Sequence, residues 1–443
     1  MEQTLFGTDG IRARVGHFPL DADSLSTLGD AIAQWAQKKY SSQPTVLIGH
    51  DTRESCGFIK STIKSRFLLH SIDVHDGGVL PTPAVFNIIN NDNHFDFGIV
   101  ISASHNPYHD NGIKLFDAKS GKLKPEDEKK IFELFYQQQK KSLSLNADPK
   151  LEAEFLTTAG SDYVLNIRTY FEHNFLKNKK IVLDCAHGAT FAVAPIIFRE
   201  MGARITPIFC EPNGKNINDN CGSTNPENLK QKVLQEKADI GFAFDGDGDR
   251  LTVVTKNGEI KNGDDILAFL STHPKYQKEK TVVGTIMTNC GMEAWLQNQG
   301  KRLIRTQVGD KHVAHALEKE NLLLGAEQSG HVILRDYLNC GDGIFAALRV
   351  AETAQLTNNW DLKTFEKYPQ ALSNIVVSEK KDLTLKPLSE IIAHTEERLT
   401  SGRIIVRYSG TEPKLRVMVE EATQENANAI CTQLTKKLQK ELS

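Results

Sequence analysis

At 443 residues, with 40% hydrophobic and 25% charged side chains, the chain has the make-up of a soluble globular protein of about three domains. A formal net charge of −3 offers no global basic field, which argues against nucleic acid as a partner, and no apolar run approaches the ~20 residues of a membrane span. The first residues lack the basic stretch and apolar run of a signal peptide, and seven scattered cysteines without a C-x-x-C predict reduced thiols in a cytoplasm.

Strands alternate with helices along most of the chain, which predicts α/β layers. The first clear strand, residues 45–49, is a short β-branched run followed by polar turn residues and a helix. A second apolar run, residues 97–101, ends in the polar loop Ser102-Ala-Ser-His-Asn106, and the polar segment 137–149 closes the first domain. The pattern restarts at 180–184 and again ends in a polar loop, Asp245-Gly-Asp-Gly-Asp249, after the run 240–244. A third pass opens at 281–285, and its second run, 322–325, ends in Ala326-Glu-Gln-Ser-Gly-His331. Roughly 40 to 60 residues separate the two runs of each pass, a spacing suited to βαβ units. From about residue 368 the pattern changes to strand (373–378), helix, strand (403–407), loop, strand (415–420) and amphipathic helix, which predicts a smaller α+β domain. The expected fold class is therefore α/β, with three similar mixed-sheet domains at 1–152, 153–254 and 255–367 and a C-terminal domain at 368–443.

Three of these loops carry residue types with a chemical meaning. Asp245, Asp247 and Asp249 alternate with glycines at the end of a buried strand, where ligands of open α/β sheets bind. So much like charge is costly without a cation, and all-oxygen ligands suit a hard ion such as Mg²⁺. An exposed acidic turn would look similar. An EF-hand loop is excluded, because Arg250 stands at its glycine position and Lys256 at its bidentate glutamate. Ser104 is the candidate nucleophile: Asn106-Pro107 forces a turn, His105 is adjacent and Lys114 lies ten residues on. An ordinary Ser-Asn-Pro turn is the competing reading, and Ser102 is a rival nucleophile. Arg407, Ser409, Gly410 and Thr411 form a loop with the make-up of a phosphate cradle, and Arg416 on the next strand is a second possible contact.

Five segments occur in order: Phe6-Gly-Thr-Asp-Gly-Ile-Arg12, Ser102-Ala-Ser-His-Asn-Pro107, Asp245-Gly-Asp-Gly-Asp-Arg250, Gly325-Ala-Glu-Gln-Ser-Gly-His331 and Arg407-Tyr-Ser-Gly-Thr-Glu-Pro413. In this order the chain resembles the α-D-phosphohexomutase superfamily, nearest its bacterial amino-sugar branch, from residue 6 to the last helix. The resemblance implies four domains around one central cleft. It implies a phosphoserine at Ser104, with Mg²⁺ held by Asp245, Asp247, Asp249 and an oxygen of that phosphoserine. The implied reaction interconverts glucosamine 6-phosphate and glucosamine 1-phosphate through a 1,6-bisphosphate, toward UDP-N-acetylglucosamine. The resemblance also implies glucosamine 1,6-bisphosphate, or a similar sugar bisphosphate, as activator. An activating kinase is a further implied partner, and the chain is expected as monomer or homodimer.

By motif position Arg12, His105, Lys114 and His331 are candidates for moving the proton, while Arg250 neutralises transferring oxygens. Glu327 and Ser329 are expected to hold sugar hydroxyls, and Lys311, in Gly309-Asp-Lys311, lies near substrate. Departures from the family pattern fall at Ala13, His50, Gln328 and Cys340, none of them at Ser104 or the acids. The runner-up activity is that of a phosphomannomutase/phosphoglucomutase. A metal-dependent phosphatase is a different class, and a binding protein with a decayed site is disfavoured by the intact serine and acids.

Overall fold

The structure, a computed structural model, describes residues 5–7, 9–138, 153–409 and 413–442. Most of the predicted boundary segment 137–149, together with Gly410 and Thr411, lies outside them.

Strands Phe97–Ile101, Ile240–Phe244 and Thr281–Thr285 are buried at every position. Continuous apolar burial is what a strand covered on both faces requires, so these runs do not alternate in polarity. In the first module Thr45–His50 pairs in parallel with Asp73–Val79 on one side and with Phe97–Ile101 on the other, Val46 opposite Phe97. Phe97–Ile101 then pairs antiparallel with Asp110–Asp117, which carries Ile11–Arg14 at its far edge. The second module repeats this step. Lys180–Asp184 is parallel to Ile240–Phe244, which is antiparallel to Leu251–Thr255. The third does so with shorter strands, Thr281–Thr285 beside Leu324–Ala326 and that beside Val332–Leu334.

Each module therefore places one loop between its central strand and an antiparallel partner. These are the loops of Ser104, of Asp245–Asp249 and of Glu327–His331. The polar loops read at the ends of three apolar runs are topologically equivalent. The second sheet continues past residue 254 to Ile260–Lys261, where Ile260 lies opposite Val254 after a turn at Asn257-Gly258.

Helices cover the sheets by amphipathic spacing. Ala22–Lys39 starts at Asp21, whose carboxylate accepts from Ser24 N, and buries Leu25, Leu28, Ile32, Trp35 and Ala36 on one stripe. Burying each large side chain contributes about 1.5–3 kcal/mol.

The chain divides into two compact units, Met1–Thr285 with Thr306–Lys363, and Ile286–Arg305 with Thr364–Ser443. In the second unit Lys414–Glu420 is the central strand, antiparallel to both Gln370–Val376 and Arg403–Tyr408. Helix Gln424–Leu442 covers this sheet with Ala427, Cys431, Leu434, Leu438 and Leu442, spaced three or four residues apart. Segment 286–305 joins the same unit through Asn289 Nδ2, which donates to Tyr368 O at 2.9 Å, and Arg403 Nη2, which donates to Thr288 O. No helix among the described residues is long and apolar enough to cross a membrane.

Candidate active site

Ser104 sits in the left-handed region at φ 53°, an uncommon conformation for a non-glycine residue, and is fully buried. The loop is held there by Arg53. Its Nη2 donates to Ser104 O at 2.9 Å and Asn106 O at 2.8 Å, and its Nη1 donates to Asp110 O at 3.0 Å and to Pro107 O. Arg53 is in turn fixed by Asp51 at 2.9 Å. Ser102, the rival nucleophile, donates to Asp51 Oδ2 at 2.7 Å and accepts from Ser104 N at 2.9 Å. Both capacities of that hydroxyl are spent on shaping the loop.

Ser104 Oγ points away from this framework, donating to Asp245 Oδ2 at 2.5 Å, with His105 Nδ1 at 3.3 Å. From the second module Asn218 Nδ2 donates to Ser104 O at 2.9 Å. The two loops approach so closely that a Cβ at Gly246 would stand 2.6 Å from Ser104 O, so only glycine fits there.

Asp245, Asp247 and Asp249 are all buried, and one oxygen from each lies within 4.8 Å of the other two. Burial, reinforced by Asp249 and Asp247, pushes the Asp245 carboxyl well above the ordinary range. Asp247 Oδ2 accepts from Thr82 Oγ1 at 2.5 Å and from Lys114 Nζ at 2.8 Å, and Asp249 Oδ2 accepts from Lys114 at 2.9 Å. The second oxygen of Asp247, Oδ1, is buried without a hydrogen-bond partner, and that of Asp249 has only the His331 ring beside it, at 3.0 Å. Buried unpaired carboxylate oxygens are expensive, and a set of three carboxylates fits a hard divalent cation. The residues present thus fit the metal that the motif predicts.

Lys114, on strand Asp110–Asp117, also contacts Asp9 at 2.8 Å. Although burial opposes its charge, Asp247, Asp249 and Asp9 hold the ammonium well above its ordinary range. In this arrangement three carboxylates hold Lys114 as an ammonium. Arg12 pairs with Asp9 and its guanidinium pKa is raised, burial being outweighed by Asp9, Asp247 and Asp249. The His105 imidazole is driven down to about 3, by burial first and then by Arg250 and Arg12.

The third loop reaches the same place. Arg250 and His331 form a backbone bridge, and Arg250 Nε donates to His331 Nε2 at 3.0 Å. His331 Nε2 also lies 3.0 Å from Asp249 Oδ1, while its Nδ1 has no hydrogen-bond partner and lies 3.6 Å from Asp310 and 3.7 Å from Glu327. Glu327 is buried and accepts from Gly309 N at 2.8 Å, which ties the 309–311 loop to the 327–331 loop. Ser329 is exposed at the tip of its loop. Lys311 lines a cavity of about 620 Å³ with Lys122, Lys124, His312 and His315.

Ser104, His105, Arg250, His331 and the three acids are therefore brought together by equivalent loops of one unit, with Arg12 and Lys114 added from the paired strands Ile11–Arg14 and Asp110–Asp117. Arg407, Ser409 and Arg416 belong to the other unit. There Arg407 lies directly opposite Arg416, which lies opposite Asn374. Burial and then the facing Arg416 lower the Arg407 pKa. Two guanidiniums paired across strands repel, which suits an anion between them.

Several residues were not anticipated. Asp9 lies within Phe6–Arg12 and Arg53 three residues beyond His50, and the sequence assigns neither of them a role. Thr82, Asn218, Lys122 and Asp310, the last bonded to Lys122, act through contacts with no local sequence signal. His50, a departure from the family pattern, donates from Nδ1 to Asp51 O at 2.7 Å and has Lys60 Nζ at 3.2 Å from its Nε2.

A buried serine aimed into a carboxylate cage, at the meeting of three repeated modules, defines a phosphoryl-transferring mutase. The chain belongs to the phosphoglucomutase/phosphomannomutase family, whose models match as alpha/beta/alpha domain I at residues 3–142, domain II at 161–258, domain III at 262–374 and the C-terminal domain at 372–437. Within it the chain is 42% identical over 431 residues to the phosphoglucosamine mutase of Hydrogenovibrio crunogenus, covering 95% of this chain and 94% of that protein. It shares its fold with a phosphoglucomutase/phosphomannomutase family protein of Burkholderia thailandensis, with TM-score 0.79, 20% identity and coverage of 98% and 96%. The N-acetylphosphoglucosamine mutase of Aspergillus fumigatus, solved in complex with GlcNAc-6P and magnesium, matches with TM-score 0.66, 18% identity and coverage of 99% and 96%.

Proposed function

We propose that the chain is an isomerase that interconverts glucosamine 6-phosphate and glucosamine 1-phosphate through phospho-Ser104 and a 1,6-bisphosphate. The observation that carries the chemistry is Ser104 Oγ at 2.5 Å from Asp245, inside the carboxylate cage. The substrate class follows from the near full-length likeness to phosphoglucosamine mutase.

Phospho-Ser104 gives its phosphoryl group to the sugar's free hydroxyl. The O–P bond to Ser104 breaks, one to the sugar oxygen forms, and the hydroxyl proton leaves to a neighbouring base. The bisphosphate reorients, and Ser104 Oγ takes back the other phosphoryl group, so the phosphoserine is regenerated. Asp245, Asp247, Asp249 and a phosphoserine oxygen would hold a divalent cation, which we take as Mg²⁺ and which would neutralise the transferring group's charge. Lys114 and Arg250 add fixed positive charge, which is worth most where water is excluded. His331, with its unpartnered Nδ1, is the group to which we assign proton exchange, while His105, in reach of Ser104 Oγ, is kept neutral by its burial and the nearby Arg250 and Arg12. A bisphosphate activator, or a kinase, charges Ser104 at the outset.

We assign Arg407, Arg416 and Ser409 to the phosphate that is not reacting. Arg407→Ala should raise KM about ten- to a hundredfold, the weight of a charge-assisted bidentate contact of roughly 1.5–3 kcal/mol, while phospho-Ser104 still forms. Steady-state kinetics beside phosphopeptide mapping checks this, and unchanged kinetics would remove the arginine from the site.

The substrate is tested by kcat/KM for the 6-phosphates of glucosamine, glucose and mannose, each with its matching bisphosphate. Shared phosphate and hydroxyls bind all three alike, so discrimination rests on the C2 ammonium, for which Glu327 is the acidic neighbour. Glucosamine 6-phosphate should lead by more than about tenfold. A higher value for glucose or mannose 6-phosphate would make this a phosphoglucomutase or phosphomannomutase. Release of inorganic phosphate without a bisphosphate requirement would make it a phosphatase.

A further inference from the structure

The edge of the first sheet carries a second group of metal-ligating side chains, made of residues with no part in the site above. We propose that Asp73, His75 and His94 bind a borderline divalent transition metal, Zn²⁺ foremost, with Glu154 orienting His75. Asp73 and His75 alternate on strand Asp73–Val79 and so project to the same face, and His94 comes from the loop after helix Thr82–Asn91. His75 Nε2 lies 3.1 Å from His94 Nε2 and 3.4 Å from Asp73 Oδ2, and His94 Nε2 lies 4.0 Å from that same oxygen. Zinc bonds of about 2.0–2.1 Å at tetrahedral angles set ligand atoms about 3.3 Å apart. Two of the three separations already match. The third closes by small rotations of Asp73 and His94, whose side chains are 56% and 51% exposed.

His75 is the anchor. It is buried, and its ring is met edge-on by Phe95 at 5.3 Å between centroids. Glu154 Oε2 lies 3.8 Å from its Nδ1. Nε2 faces both Asp73 and His94, the side on which the ion would sit, and Glu154 stands on the opposite side of the ring, where a small rotation would bring it into the carboxylate–histidine–metal arrangement. Two imidazole Nε2 atoms at 3.1 Å need something positive between them, either a shared proton or a cation. Two nitrogens and one carboxylate select zinc-like ions over Mg²⁺, the reverse of the all-oxygen Asp245–Asp249 set. The bound ion would fasten the 92–95 loop to the neighbouring strand.

The test uses the full chain without a polyhistidine tag, stripped with EDTA and returned to excess Mg²⁺ so that the carboxylate cage is satisfied. Zn²⁺ is titrated against a chromophoric chelator, and Co²⁺ serves as the spectroscopic probe. Wild type should take up one zinc per chain and give tetrahedral cobalt bands. His94→Ala and Asp73→Asn should lose both signals while turnover and circular dichroism stay as in wild type. Glu154→Gln should weaken zinc binding by about 10- to 100-fold. No zinc uptake by wild type, or equal uptake by His94→Ala, would overturn the proposal. The first outcome would leave a shared proton between the two rings.

Discussion

Ser104→Ala should lower kcat by more than about 10⁴-fold, because removal of a nucleophile abolishes the covalent route and leaves only binding and electrostatics. Peptide mapping of purified wild type should place the exchangeable phosphate on Ser104 and nowhere in the variant. Ser102→Ala is the informative companion. Ser102 donates to Asp51 and accepts from Ser104 N, so its loss loosens the loop that holds Ser104 at positive φ. A loss of about 10- to 100-fold is expected from misplacement of the nucleophile by a fraction of an ångström, with phosphate still on Ser104. Phosphate on Ser102, with Ser104→Ala active, would reverse the assignment. The geometry that motivates this ordering is specific: of the two serines Ser104 has its hydroxyl directed at the Asp245–Asp249 carboxylates and Ser102 has not, and the Asp51–Arg53 pair beneath the loop is fully buried at 2.9 Å. Neutralising Arg53 would leave Asp51 unpaired and release four carbonyl contacts at once.

The loops that matter were readable in the sequence because each follows an apolar run and is itself polar. Phe97–Ile101 and Ile240–Phe244 are buried at all five positions, and such runs advertise themselves. The third repeat was harder to bound. Its second strand is only Leu324–Ala326, two residues off the run read at 322–325, because pairing rather than hydrophobicity sets strand ends. The extension of the second sheet to Lys261 was illegible for the same reason, since Ile260–Lys261 is a two-residue strand fixed by its partner Val254.

What composition and spacing could not show is how charges are paired. Thr82 and Asn218 come from distant parts of the chain, and nothing local distinguishes them from solvated residues, while Asp9 and Asp310 lie inside recognised motifs whose spacing does not reveal their lysine partners. Nor does the sequence say whether Lys114 is a base or a fixed cation. That depends on three carboxylates arriving from elsewhere, Asp9, Asp247 and Asp249, each of them more than a hundred residues away. Conversely, Asp73-x-His75 and His94 carry no recognisable spacing until the sheet and the helix-end loop bring the rings together.

Lys114→Met should impair both stability and turnover, and the two effects should respond differently to metal. The ammonium sits within 2.8–2.9 Å of Asp9, Asp247 and Asp249 and is 3% exposed. Methionine fills nearly the same volume but leaves buried carboxylates facing one another, and breaking a buried ion pair from one side costs about 3–5 kcal/mol. In EDTA the variant should therefore melt several degrees below wild type. Added Mg²⁺ neutralises the same oxygens, and a ligand that binds only the folded state stabilises it by mass action. The variant's Tm should consequently rise more with Mg²⁺ than that of wild type. Turnover behaves otherwise. The metal replaces charge in the cage but not the directed N–H donors of Lys114, so at saturating Mg²⁺ kcat should remain about 10²–10³-fold down, the usual loss for one preorganised donor. Lys114→Arg should not restore it, since a planar fork cannot meet three carboxylates arranged around a single nitrogen. Differential scanning fluorimetry with and without Mg²⁺, beside kcat at saturating metal and bisphosphate, reads both effects. A wild-type Tm in EDTA would mean that the carboxylates do not depend on Lys114 for compensation. Full recovery of kcat by Mg²⁺ alone would reduce the lysine to a placeholder for the metal's charge.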